Sequence, residues 1–226
     1  LLLETVFRVV VTILFVSSVV LCSFAIFRMI IVPSQIFTIA AVVGITNHYF
    51  KFVIDSPFSM LAQTIVFTIM VMVTKRYPAL YALLVTFTGS IIVSLIDAPV
   101  TILAMQTGFA AVEDMRNNLL VFTVLHIITG ALLVGISTLL IRLKAGFSFI
   151  IRRYEGNSIL RASNFIWASI LLGALLFFQF TYARLPVLSM HGYILMLMAA
   201  TMLVVLWYAI RQNYKSAEAR KGRTLT

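Results

Sequence analysis

Cysteine is nearly absent from this 226-residue chain, acidic residues number only seven, and charged residues of either sign make up 11%. Each scarcity excludes something. One cysteine, Cys22, rules out an intramolecular disulfide, and its place inside an apolar run marks it as a small packing residue. A soluble domain typically carries about 25% charged residues. With so little charge and 62% hydrophobic residues, the apolar surface exceeds what one buried core absorbs, so lipid must be the second solvent. Catalytic signatures are missing as well: the chain has no HExxH, GxSxG, P-loop or kinase motif. His48, His126 and His191 fall in different segments, with no ligand pair at close spacing. The expectation is therefore no enzyme, no catalytic residue, no cofactor and no metal.

What is present is a series of long apolar runs. A helix crossing the hydrocarbon core needs about 20 largely apolar residues. Reading between charged and turn-forming residues predicts an all-α, polytopic transmembrane helix bundle of about seven spans over residues 1–210. The spans fall near 6–27, 35–54, 58–74, 79–105, 118–141, 163–183 and 188–210, followed by a basic tail over 211–226. Residues 9–27 carry no charge and no convincing cleavage site. They are too long for the roughly 7–15-residue apolar core of a signal peptide. Asp55-Ser56-Pro57 is a helix-start signal before the third span. Pro99 inside the fourth removes a helical hydrogen bond and predicts a kink or break near Asp97.

Orientation follows from lysine and arginine. With seven alternating spans, 13 of the 17 basic residues collect on one side and 4 on the other. The richer side is the cytoplasm, which puts the N-terminus outside and the C-terminus inside. A multi-pass protein of the cell membrane, of bacterial plasma-membrane type, is expected. The net charge of +10 sits beside hydrophobic segments, which fits lipid headgroups and argues against nucleic acid. Arg8 and Lys51, near outer helix ends, are expected to snorkel to the headgroups. Residues 145–154, AGFSFIIRRY, form either a surface helix bearing Arg152 and Arg153 or an extension of the fifth span. Arg211, Lys215, Arg220 and Lys221 in the tail are further candidates for membrane-surface contact.

Small residues four apart mark close helix contacts in lipid. Ala40/Gly44, Ser90/Ser94, Ala131/Gly135 and Ser169/Gly173 are such pairs. The segments beginning Thr88-Gly89 and Thr129-Gly130 share a pattern of common residues, which is expected by chance and implies no internal repeat. Ionisable groups in membrane spans are the default functional candidates. Asp97 is the leading one, with the alternative that it caps a second short helix starting at Pro99. Asn47, His48 and Lys51 end the second span; Glu113 and Asp114 precede the fifth, and His126 lies deeper in it. Together they outline a ligand-binding outer mouth, unless the aromatics there form only an interfacial belt.

Residues 75–100, KRYPALYALLVTFTGSIIVSLIDAPV, resemble a segment of the membrane sensor region of Gram-positive sensor histidine kinases of the Agr/GHKL type. Arg76-Tyr77-Pro78 and Thr88-Gly89 carry the resemblance. It implies several spans with a cytoplasmic C-terminus feeding a kinase. The chain itself holds no phosphoacceptor or ATP-binding segment, so it is either a sensor region without its kinase or a stand-alone relative. The expected function is that of a receptor-like or regulatory subunit. It senses an extracellular or membrane-borne ligand, a peptide or small molecule, and passes the signal to a membrane or cytoplasmic protein partner, with or without an oligomer. The alternatives are a small transporter or channel-like subunit using Asp97, or a structural subunit of a larger complex.

Overall fold

A computed structural model describes residues 2–143, except 57, 58, 78, 112 and 113. The expected spans near 163–183 and 188–210, the segment 145–154, the pair Ser169/Gly173 and the basic tail lie outside the described residues, as does Glu113.

All described elements are helical: α1 (Leu2–Ile26), α2 (Pro33–His48) continuing into a π-helical turn (Tyr49–Val53), α3 (Ser59–Lys75), α4 (Ala79–Gln106), α5 (Asp114–Asn117) and α6 (Leu119–Arg142). Four stretches are long and apolar enough to cross a membrane: Leu3–Ile26, Pro33–Val53, Tyr81–Gln106 and Leu119–Arg142. The protein is a multi-pass membrane protein. The third expected span is the 17-residue α3, which at 1.5 Å per residue measures about 26 Å, a little under the hydrocarbon thickness. The largest difference from the expected boundaries is at the start of α1, where Glu4 and Arg8 pair at 2.9 Å across one helical turn and carry the helix four residues further out. Ser59 N–H bonds to Ser56 O at 3.2 Å where α3 begins.

Helix α1 is the axis of the bundle, packed against α2, α4 and α6. Val16, Val20, Phe24 and Phe27 of α1 are buried with Ile39 and Val43 of α2, Phe67 and Val71 of α3, Val85 of α4 and Leu133 of α6. Lipid tails are as apolar as leucine, so close packing and interhelical hydrogen bonds must hold these helices together. Glycines supply the close packing. A Cβ on Gly44 would stand 3.1 Å from Ile13 Cγ1, and one on Gly89 only 2.9 Å from Ser23 Cβ. One on Gly130 would meet Ser18 Oγ at 3.5 Å. The two Thr-Gly dipeptides therefore do the same job, each presenting its glycine to a serine of α1. A hydrogen bond of 2.8 Å between the buried Thr68 and Thr86 hydroxyls joins α3 to α4.

Ala40 and Gly44 are both buried, as their spacing predicts. Ala131 and Gly135 are not: both are exposed, and a Cβ on Gly135 would meet nothing within 4 Å. The packed face of α6 runs through Thr129, Gly130, Leu133 and Ser137 instead, about 100° around the helix from the expected stripe. Ser90 and Ser94 bond their hydroxyls to Thr86 O and Ser90 O of their own helix. The contrast is testable. Gly89→Val lowers unfolding free energy in detergent by about 1–3 kcal/mol through overpacking. Gly135→Val, on the exposed face, changes it by no more than about 0.5 kcal/mol.

Helix α4 also corrects an expectation. It runs unbroken through Pro99, so Asp97 does not cap a second helix. Proline is tolerated inside membrane helices where neighbouring helices complete the lost polar contacts. Aliphatic side chains such as Leu14, Ile127, Leu132 and Leu139 cover the outside of the bundle.

The ends of the bundle differ in charge. Asp97 lies against Thr129, Ser23 near Gly89, and Arg8 near Asn117, so α4 runs antiparallel to α1 and α6. One end gathers Arg28, Lys75, Arg76 and Arg142, with no acidic side chain among the described residues. There Lys75 Nζ donates to Ile30 O at 2.7 Å and lies 5.1 Å from the Phe24 ring centre, tying α3 to the α1–α2 connection. The opposite end carries the mixed polar residues.

Candidate functional site at the mouth of the bundle

Three elements converge at that opposite end: the first turns of α1, the π-turn after α2, and the start of α6. The π-turn is wider than an α-turn, closed by Ile54 N–H bonding to Tyr49 O at 3.0 Å. Such turns recur at functional sites. Here it carries Phe52 onto His48, ring centres 4.9 Å apart, and onto Phe122 of α6 at 5.7 Å, edge to face.

Arg8 is the centre of the arrangement. It is only 8% exposed, and its Nη2 donates to Glu4 Oε1 at 2.9 Å and to Asn117 O at 3.1 Å. Its guanidinium carbon lies 5.4 Å from the Phe52 ring centre and 5.5 Å from that of Phe122. A carboxylate, a carbonyl and two aromatic faces thus hold the guanidinium, and each is worth more where water is scarce. Lys51 is exposed, but its Nζ leans over the same two rings, 5.5 Å from Phe52 and 6.0 Å from Phe122.

Deeper in, the His126 ring packs against Phe15 at 4.8 Å and Phe122 at 4.0 Å. Its Nδ1 lies 2.8 Å from Phe122 O. A carbonyl only accepts, so Nδ1 carries the proton and Nε2 keeps the lone pair when the ring is neutral. Three residues on, Thr129 Oγ1 donates to Asp97 Oδ1 at 3.0 Å, bridging α6 to a half-buried carboxylate on α4. The rings link Lys51 to both histidines, to His48 across Phe52 and to His126 across Phe122.

The structure thus brings together four of the expected residues, Asp97, His48, Lys51 and His126. Two others stand apart. The Asp114 carboxylate accepts from Ala111 N–H at 3.1 Å, which makes it a local turn-former ahead of α5. Asn47 is half-buried on α2 and, among the described residues, makes no hydrogen bond to the cluster. Sequence reasoning passed over Glu4, Phe15, Phe52, Phe122 and Thr129. The four-residue spacing of Glu4 and Arg8 was a visible signal; the phenylalanines are indistinguishable in sequence from the lipid-facing ones. Among the described residues no three of His, Cys, Asp or Glu are grouped so as to hold a metal ion.

No family model, curated protein or solved structure matches this chain.

Proposed function

We propose that the protein is a receptor-like or regulatory membrane subunit. Its ligand enters the bundle at the Arg8–Lys51–His48 end, which faces outside the cell if the chain makes the seven crossings expected from its sequence. The observation that carries this reading is the convergence of two cations, two histidines, a carboxylate and three phenylalanines from four separate helices on one mouth. Ionisable groups at membrane depth are costly and are retained for function. The opposite end, where the described charges are all basic, fits the cytoplasmic face, from which a signal passes to a partner protein. The segment resembling Agr/GHKL sensor regions supports the same class. Its Thr88 and Gly89 are buried, Gly89 against Ser23 of α1, so in this chain the segment serves the scaffold and the mouth serves the ligand.

A photo-crosslinking residue tests the reading. Placed at the exposed Tyr49 beside the mouth, it captures a ligand supplied from outside to intact cells. Placed at Val73, exposed on α3 near the basic end, it does not. Equal capture at both positions, or none at Tyr49, rejects the mouth as the receptor site. The Asp97–Thr129 bridge favours one rival, a transporter with an intramembrane acidic site. That rival requires flux in proteoliposomes that disappears with Asp97→Asn.

A further inference from the structure

At the end opposite the mouth, two helices stop in the same unusual way. Just past the ends of α1 and α3, Arg28 and Arg76 turn the chain with φ of 49° and 54°. Glycine is the usual residue in that left-handed conformation, because a side chain there crowds the backbone. After α1 the turn is closed by Arg28 N–H to Ala25 O at 3.1 Å and Met29 N–H to Phe24 O at 2.9 Å. A glycine would make both bonds equally well. Neither arginine side chain serves the bundle. Both are exposed, and among the described residues neither guanidinium makes a hydrogen bond or an ion pair. The two turns adjoin. Lys75, next to Arg76, donates to Ile30 O, two residues past Arg28, at 2.7 Å. Tyr77, on the other side of Arg76, meets Tyr81 edge to face at 4.7 Å, and Tyr81 meets Phe27 at 6.4 Å. Apolar side chains run up to the same edge: Ile65, Ile69 and Val73, four apart on α3, are exposed, and Ile30 is 79% exposed. A lipid-facing stripe that ends in cations marks where acyl chains give way to headgroups.

We infer that this end is a docking surface for anionic phospholipid, with the Arg28 and Arg76 guanidiniums on headgroup phosphates and Ile30 in the acyl layer beneath them. A guanidinium meets a phosphate through two parallel N–H donors and sheds water more readily than an ammonium does. No acidic side chain stands at this end among the described residues, so a headgroup of net negative charge is attracted. In a zwitterionic lipid the choline offsets the phosphate. A side chain needed at the membrane surface accounts for arginine where the backbone favours glycine. The surface is separate from the mouth and stands whether or not the mouth takes a ligand.

Quenching by brominated lipid tests this on the full chain in phosphatidylcholine vesicles. The chain has two tryptophans; Trp167→Phe and Trp207→Phe remove them, and Ile30→Trp places one indole beside the arginines. Dibrominated phosphatidylglycerol and dibrominated phosphatidylcholine are compared at equal mole fraction. The binding constant at position 30 favours phosphatidylglycerol at least about fivefold, the gain expected from a single cation at an anionic surface. With Arg28→Gly and Arg76→Gly together the preference falls to about one. All other basic residues stay in place, so general attraction to the vesicle is retained. That double variant unfolds no earlier than its single-tryptophan parent in phosphatidylcholine, because glycine is at ease in both turns. The inference is overturned if the two brominated lipids quench alike, or if the double glycine variant keeps the preference. It is overturned equally if that variant unfolds earlier, since the arginines then belong to the scaffold.

Discussion

Arg8→Ala lowers unfolding free energy in mixed micelles by about 3 kcal/mol, and Glu4→Gln by less than about 1 kcal/mol. The difference comes from what each partner holds. Glu4 is 45% exposed at the side chain, so water and salt screen its half of the ion pair, and such pairs contribute little. Arg8 is buried and makes three further contacts, to Asn117 O and to the faces of Phe52 and Phe122. A hydrogen bond from a charged donor is worth about 1.5–3 kcal/mol, and a partly desolvated cation–π contact about 1 kcal/mol. Arg8→Ala also removes the link that holds the start of α6 against α1, so loss of the Phe52–Phe122 contact follows. A double-mutant cycle between Arg8→Ala and Phe122→Leu separates these effects. A coupling near zero, or a Glu4→Gln cost equal to that of Arg8→Ala, shows the interior contacts to be idle.

Arg8 also marks where the chain ceases to be legible one residue at a time. The four candidate spans and the shorter apolar α3 follow from run length between charges, because the bilayer imposes one length on every crossing and charge is too costly to hide inside it. That constraint is local, and it placed both ends of α3, α4 and α6, and of α2 taken together with its π-turn, within two residues. Which distant groups Arg8 meets depends on Asn117, 109 residues away, and no local pattern contains that. The same limit appears on α6. Gly130 and Gly135 are the same residue in sequence, and only the rotation of α6 about its axis decides which of them meets Ser18. Pro99 shows the reverse case: the break that the local signal allowed does not occur, and α4 stays helical through it, packed against α1, α3 and α6. At the mouth, the titratable members were visible as ionisable groups in apolar spans. The phenylalanines that bring Arg8 and Lys51 together were not, since 18 phenylalanines are spread along the chain.

The second large effect belongs to the bridge between α4 and α6. Thr129→Val is isosteric and lies at 0% exposure, so packing is preserved and only the hydroxyl is lost. It costs about 1–3 kcal/mol, because Asp97 Oδ1 then lacks its donor while remaining half-buried. Asp97→Asn keeps an oxygen for Thr129 to donate to and changes stability by less than about 1 kcal/mol. Removing both partners together, Asp97→Leu with Thr129→Val, recovers most of the loss, since two apolar groups leave no polar atom stranded. Unfolding in mixed micelles measures all three. The ordering separates stability from purpose. If the double variant is as stable as the parent, the carboxylate is not there to hold the bundle together. An intramembrane acid that stability does not need is retained for what it binds or responds to. If instead Asp97→Asn proves as damaging as Thr129→Val, the charge itself is structural, and the acidic member of the mouth belongs to the scaffold.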